Sequence, residues 1–408
     1  KTWNELASIK GNLAENILKT LKVSTKQDIT KAHIPNANAY EYYLKAKYKY
    51  EKRDDMEDIE ITRGLLEKAI ELDDELFNAK YLLGLTYYDT GDYILASKIY
   101  LEILSSLGKQ GNNIINAYLY DALGVVFETQ GEYNRALDYY NSSLEIAEGL
   151  NLINQMSVTL SNLGILYSRK GELKQALYYY NRSYKIAEEI QDTLGMASLY
   201  NEFGILYDQL GAYDTSIDYY KKIIDLANQN NYNKEELHDM FDNIGNAYAA
   251  KGEYEIAMEY LIKSLEIRRQ INYNHGIAYS LHNIGDIYFF KGEFHKAIEF
   301  LDESLIIQKE IGLDERELLE TSVILFLCYK NISQNYDVNE FHKLISNTEY
   351  IEDYYNYLFY QLLEDKSYLE TAYKQVQEKA SAMDDSAKFL SYPIPKAIVE
   401  EYNKVFKK

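Results

Sequence analysis

Cysteine is almost missing from this 408-residue chain: Cys328 stands alone, so no internal disulfide forms, and a reducing, cytoplasmic setting fits. Prolines number three, Pro35, Pro393 and Pro395, and the long stretch between the first two is left free for uninterrupted helices. Long apolar runs are missing as well. The longest surrounds Val323 to Tyr329, far short of the ~20 residues that a membrane helix needs, and no secretory signal is visible. Positive charge is scarce: 43 Lys and Arg against 64 Asp and Glu leave a net charge of -21. That excludes a nucleic-acid phosphate backbone and an anionic membrane as natural partners. The six histidines (His33, His238, His275, His282, His295 and His342) show no metal-ligand spacing. Gly108-Lys109 is followed by Gln110 and lacks the upstream glycine of a phosphate-binding GxxxxGK[ST] loop. Cys328, inside its apolar run, reads as buried and inert. Asp73-Asp74 and Asp384-Asp385 read as turn and cap residues. No catalytic, cofactor or metal constellation emerges, and the chain is read as non-enzymatic. What is plentiful is tyrosine, with 43 residues, within an apolar content of 47% that rules out disorder. The sequence opens on Lys1 rather than Met, which reads as a piece of something longer.

Against that background one pattern recurs six times. An apolar residue precedes a glycine, an aromatic follows three residues on, and a second glycine lies seven after the first. The first glycines are Gly84, Gly124, Gly164, Gly204, Gly245 and Gly285, and the second are Gly91, Gly131, Gly171, Gly211, Gly252 and Gly292. Their regular spacing, about one unit per 40 residues, is the mark of stacked supersecondary units, which grow by addition around no single core. Within 117–150, Leu123, Gly124 and Phe127 share a helical face. Gly131 breaks the helix as a left-handed cap, and Ala136, Tyr140 and Leu144 restart the helical period. Each unit is therefore predicted to be an antiparallel helix pair. A glycine inside a helix costs about 1 kcal/mol against alanine, so six at one phase imply close approach of the partner helix. The alanines Ala96, Ala136, Ala176, Ala257 and Ala297, with Ser216 in their place once, complete that contact. Tyr87, Phe127, Tyr167, Tyr207, Tyr248 and Tyr288 fill space between neighbouring units.

LGVVFETQGEYNRAL (123–137) and IGDIYFFKGEFHKAI (284–298) resemble the tetratricopeptide repeat over roughly residues 40 to 345. The period departs from the usual ~34 residues, and the long form is similar to the repeats of kinesin light chains and of Leu-Gly-Asn-rich spindle-orientation proteins. Diverged units are expected at 39–72, with Ala46 near the glycine position, and from Glu317 through Tyr329. The fold class so implied is all-α: a right-handed solenoid of antiparallel helix pairs. Its parts are a helical junction (1–36, with an amphipathic helix at 4–22 and a second capped by Ser24 or Thr25), the repeat array (37–345) and capping helices (346–408) broken at SYPIP (391–395). The run Glu51 to Glu60 is read as a solvated connection. The ends, LAENILKTLKV (13–23) with NAYEYYLKAKYKYEK (38–52) and the segment 372–402, resemble the repeat regions of bacterial multidomain class III adenylate or guanylate cyclases. That resemblance implies the regulatory part of such a protein, with the cyclase domain on its N-terminal side and no cyclase metal site in this chain.

The first helix of each unit carries a second stripe, 200° from the glycine, that lines the concave groove of such a stack. The stripe and its flanks include Asn78, Tyr81, Tyr88 and Asp89; Tyr118, Asp121, Val125, Glu128 and Thr129; Ser161, Asn162, Ile165 and Arg169; Ser198, Asn201, Glu202, Ile205 and Asp208; Asp239, Asp242, Asn243 and Asn246; and Tyr279, His282, Asn283, Asp286, Phe289 and Phe290. Arg169 is the only base against eight acids. Asparagine is a mediocre helix former, yet Asn162, Asn243 and Asn283 share one phase. An amide both donates and accepts, which suits an extended peptide backbone. The kinesin-light-chain resemblance implies that role for them; bonding to a neighbouring helix or to water explains them equally well. Phe289 and Phe290 read either as partner anchors or as residues covered by the closing helices, and Tyr279 and His282 share that ambiguity. The carboxylate clamp of chaperone-binding repeats needs bases where this chain has Tyr81, Asp121, Ser161, Asn201, Asp242 and His282. The expected partner is therefore a neutral or basic protein or peptide segment in the groove, with no cofactor, no nucleic acid and no membrane insertion; a homodimer is left open. The leading reading is a peptide-binding regulatory module of a bacterial signalling protein. The alternatives are a free-standing scaffold and a bacterial peptide-pheromone receptor.

Overall fold

The computed structural model describes residues 36–53, 56–107, 114–230, 237–335, 342–343, 345, 351–381, 383 and 386–407. The predicted helix at 4–22, its neighbours Ser24 and Thr25, Gly108-Lys109 and Asp384-Asp385 lie outside these residues. The described residues form 19 helices and no strand. The chain falls into two compact units, 1–155 and 156–408.

The first unit holds α1 (Ala37–Glu51), α2 (Met56–Leu72), α3 (Phe77–Asp89), α4 (Tyr93–Leu107), α5 (Ile114–Thr129) and α6 (Tyr133–Gly149), packed as consecutive pairs. The boundary between the units falls within the first turn of α7 (Ile153–Arg169). The second unit continues through α8 (Leu173–Glu189), α9 (Thr193–Gln209), α10 (Tyr213–Gln229), α11 (His238–Lys251), α12 (Tyr254–Gln270), α13 (Asn274–Phe290), α14 (Phe294–Ile311) and α15 (Glu315–Asn331). It closes with α16 (Asp353–Leu363), α17 (Lys366–Ser381), α18 (Ser386–Leu390) and α19 (Pro393–Phe406). The fold is the expected all-α solenoid of helix pairs. The diverged first pair is present as α1 and α2, with Ala46 fully buried. The run 51–60 is not all connection: α1 extends to Glu51 and α2 begins at Met56, where Glu57 and Asp58 favour the helix N-terminus.

The six glycine-bearing pairs are held by one repeated device. The side chain sixteen residues after the first glycine packs directly on it. A Cβ added to Gly124 would stand 2.5 Å from the Tyr140 ring, and Tyr100, Tyr180 and Tyr220 cover Gly84, Gly164 and Gly204 in the same way. Leu261 and Leu301 take that place over Gly245 and Gly285, with the Ala257 and Ala297 carbonyls close behind. A buried serine adds a second tie. Ser143, Ser264 and Ser304 Oγ donate to the Ala117, His238 and Ala278 carbonyls at 2.8, 2.8 and 2.7 Å, and Ser183 donates to the Ser157 carbonyl at 2.7 Å. The turn is fixed by the second glycine. Gly131 has φ 76°, its N–H bonds the Glu128 carbonyl at 3.0 Å, and the Glu132 N–H reaches back to the Phe127 carbonyl at 2.8 Å. This is the six-to-one closure that only a left-handed residue allows.

The closing helices continue the core of the second unit. Leu358, Phe359 and Leu362 of α16 join Leu319, Val323 and Cys328 of α15 in one buried cluster. The break at SYPIP appears as the step from α18 to α19, with Pro393 opening the last helix.

Candidate functional site in the second unit

In the second unit the groove stripe of α9, α11 and α13 faces the closing helices, and the chain's own C-terminal segment covers much of it. Tyr354 Oη of α16 donates to Asp286 of α13 at 2.5 Å. The Tyr354 ring stacks on Phe290 with centroids 5.7 Å apart, and Phe290 also stacks on Tyr254. Phe289 packs on Phe294 and against the buried cluster of α14 to α16. Both phenylalanines are half-buried: they pack on the closing helices on one side and line a pocket of about 800 Å³ with Tyr354, Leu358 and Ile394 on the other. Tyr355 Oη lies 3.3 Å from His282 Nε2, and Thr321 Oγ1 lies 2.9 Å from the Nδ1. His282 is buried, and desolvation pushes its pKa down to about 4, so the ring is neutral and both nitrogens have partners. His282 is corrected from a ligand contact to a wall residue.

Asp242 needs the same correction. Its side chain is fully buried. It accepts from Arg268 Nη1 at 2.8 Å, Ser280 Oγ at 3.0 Å, Asn283 Nδ2 at 3.0 Å and Asn246 Nδ2 at 3.3 Å. Burial raises its pKa and Arg268 opposes the rise. Arg268, on α12, also reaches the Asp239 carboxylate at 2.7 Å and the Gly276 carbonyl at 3.1 Å. This network ties α11, α12 and α13 together, and it commits the Asn283 donor to Asp242.

The three asparagines thus differ. Asn162 is half-buried and has a partner. Asn283 serves the Asp242 network. Asn243 makes no side-chain hydrogen bond among the described residues and opens into a cavity of about 530 Å³. On the repeat side that cavity is lined by Ile205, Asp208, Asn243, Asn246 and Tyr279, and on the closing side by Asp353, Lys379, Phe389, Ile394 and Pro395. Tyr279 stays 46% exposed, which leaves it available at the cavity and at the neighbouring pocket with His275, Arg316 and Glu320. Burial pushes the Asp208 carboxyl up to about 7, with the Lys379 charge opposing and the Glu352 charge adding to the rise. Further along the stripe, Asn201 Nδ2 contacts Glu202 at 3.3 Å. Burial raises the Glu202 carboxyl, while Tyr180, Asn201 and Arg169 hold it down.

Three contacts pin the roof. Phe389 lies against Gly211 beside Met383, Pro393 against Gly252, and the Tyr392 ring against Tyr213 at 4.9 Å. Asp214 bridges Lys388 and Lys251, at 2.8 Å to each, and its carboxyl is held low by both.

Tyr118 and Asp121 belong to the first unit. Tyr118 is exposed at 44%, whereas Asp121 is buried at 8%. Asp121 is therefore corrected from an open groove acid to an enclosed one, and its charge adds to the burial that raises the Tyr81 hydroxyl to about 12. Arg268 and the covering aromatics Tyr354 and Tyr355 escaped sequence reasoning. Arg268 lies on a second helix outside the groove stripe, and 353–355 lie outside any repeat.

Three segments, 75–149, 155–229 and 236–310, match the family model of the tetratricopeptide repeat and together cover more than half of the chain. No curated protein matches the sequence. Among solved structures, the fold is similar to the apo form of RapI (TM-score 0.57, 18% identity, 81% of this chain and 99% of that one). It is also similar to the apo form of the quorum sensor NprR from B. thuringiensis (TM-score 0.54, 16% identity, 89% of this chain and 97% of that one). A third similar structure is a Signal Transduction ATPase with Numerous Domains with a tetratricopeptide repeat sensor, PH0952 from Pyrococcus horikoshii. There the TM-score is 0.57 and the identity 15%, over 76% of this chain and 52% of that one. At these identities the likeness is one of fold.

Proposed function

The chain belongs to the tetratricopeptide repeat family, and from that premise we propose that it is a sensor module that takes a short peptide or protein segment at the stripe of its second unit. One observation carries this reading: α16 to α19 fold back over the stripe and leave a half-open cavity of about 530 Å³, walled on both sides, instead of a fully open channel. A scaffold that joins two proteins needs open faces to seat long segments. A receptor for a short ligand benefits from enclosure, which removes water and pre-orders the contacts. The likeness to a quorum sensor and to a repeat sensor of a signalling ATPase supports the same choice. The excess of acids along the stripe favours a neutral or basic ligand.

Signal output follows from the architecture. Within the repeats each pair packs chiefly on its neighbours, and α16 to α19 clamp α9 to α13, so a small change in pitch there is passed on through neighbouring pairs. The output domain we favour is a bacterial class III nucleotide cyclase joined on the N-terminal side, as the resemblance of the two ends suggests; the chain itself acts as a non-catalytic regulator. A cytoplasmic location fits the lone, buried Cys328 and the lack of any membrane-length apolar helix among the described residues.

Titrating the chain with a library of short peptides by fluorescence anisotropy tests the reading. Binding is expected to weaken about tenfold in Asn243→Ala with the circular dichroism spectrum unchanged. Peptides that bind with equal affinity to wild type and Asn243→Ala would remove the stripe from the site. Capture of only long, folded partners would favour the scaffold.

A further inference from the structure

The cavity under the closing helices is unevenly charged, and the imbalance sits on one side chain. Four charged groups line or edge it. Asp353 accepts from Lys379 Nζ at 2.7 Å. Glu352 pairs with Arg316 Nη2 at 3.4 Å. Asp208 of α9 makes no side-chain hydrogen bond and no ion pair among the described residues, although it is half-buried and lines the cavity opposite Asp353 and Lys379. Lys379, the cation whose charge acts on it among the described residues, is already held by Asp353. A half-buried carboxylate that faces a cavity without a protein partner is poised to take a charged partner from a ligand. The amide of Asn243, also without a hydrogen-bond partner among the described residues, lines the same space. Beyond these polar groups the walls are Ile205, Phe389 and Ile394, which suit an apolar body.

Resting on the sensor reading above, we infer that this cavity is a subsite for a compact cationic head, a primary ammonium or a guanidinium carried on an apolar body. Asp208 accepts its N–H donors, and Asn243 bonds the adjoining polar group. The subsite is built half from the repeats and half from α16 to α19, so the closing helices are part of the binding site and not only the end of the stack. A cavity of this volume admits a group of about one or two residues. The cation is therefore either a basic side chain of a peptide or a small free amine.

Isothermal titration of the whole chain distinguishes these sources and tests the site. The probes are agmatine, acetyl-Leu-Arg-Leu-amide, and the same peptide with citrulline, the neutral isostere, in place of arginine. The arginine peptide is expected to bind at least about tenfold tighter than the citrulline peptide, and Asp208→Asn is expected to erase that difference. Asp208→Asn removes the charge at constant shape and should fold normally, which its melting curve checks; Asn243→Ala provides a second, independent variant. Binding of agmatine with the same dependence on Asp208 assigns the subsite to a free amine, and its absence beside peptide binding assigns it to a peptide. Equal affinity for the arginine and citrulline peptides, or no effect of Asp208→Asn, overturns the cation subsite while leaving the peptide reading intact. Failure of all three probes also overturns the subsite. The sensor reading falls separately, by failure of the wider peptide library.

Discussion

Gly64 and Gly124 lie in helices of the same unit and answer to different physics. Nothing stands within 4 Å of a Cβ built on Gly64, whereas one on Gly124 meets the Tyr140 ring. Gly64→Ala should therefore stabilise the chain by up to about 1 kcal/mol through helix propensity, and Gly124→Ala should destabilise it by about 1–3 kcal/mol through overpacking. Urea denaturation reads both; equal effects of one sign would remove the ring contact as the reason for the repeated glycine. The phase of these glycines was legible in the sequence because one contact geometry recurs at every unit. The Arg268 and Asp242 pair was not, because it occurs once and joins positions on different helices. Arg268→Met should cost about 3–5 kcal/mol by stranding a buried carboxylate, and adding Asp242→Leu should recover much of that loss. A double variant no more stable than the single one would show that the pair is not what the network protects. The asparagines were legible as a class and not individually: Asn283 and Asn243 share a phase, but only Asn283 has Asp242 within reach, at 3.0 Å.

The closing helices are where element-scale reasoning matters most. Their helicity and the break at SYPIP follow from sequence, but their path back along α9 to α13 rests on contacts between residues 174 positions apart, such as Lys388 with Asp214. No local pattern encodes that distance. The ion pair itself adds little, since both side chains are 52% exposed and such pairs contribute about 0–1 kcal/mol. The apolar contact of Phe389 on Gly211 is the stronger tie, and two glycines isolate it. Gly171 and Gly211 both hold positive φ, 75° and 63°, but only Gly211 is covered by Phe389. Alanine at either site costs about 1–2 kcal/mol of left-handed strain. Only Gly211→Ala should also lift α18, seen as faster amide exchange over 386–406. Equal exchange in the two variants would mean that the roof is held elsewhere.

For the whole molecule, the enclosed titratable groups set how stability varies with pH. Asp208 and Asp286 have their carboxyls pushed by burial from 3.8 up to about 7. The folded chain therefore binds more protons than the unfolded one between those values, and these groups stabilise the fold as pH falls from about 7 towards 4. His282 works in the opposite direction. Burial lowers it from 6.5 to about 4, so its contribution is complete above the unfolded value and is lost as pH falls through that window. Asp214, held low by Lys251 and Lys388, keeps its contribution until the pH drops below the ordinary carboxylate range. The rising terms of Asp208 and Asp286, joined by Asp242 and Glu202, which burial also raises, outweigh the falling histidine term and give a net gain of about 1–3 kcal/mol or more between pH 8 and pH 5, and relief of the -21 net charge acts in the same direction. Melting temperature should thus increase on mild acidification, contrary to the usual loss of carboxylate ion pairs. The double variant Asp208→Asn, Asp286→Asn should be more stable than wild type at pH 8 and should lose most of the gain on mild acidification, because these two acids no longer oppose the falling histidine term. If the double variant keeps the full wild-type gain, the enclosure of these two carboxyls is not the source of the pH response, and the partnerless state of Asp208 loses its thermodynamic signature.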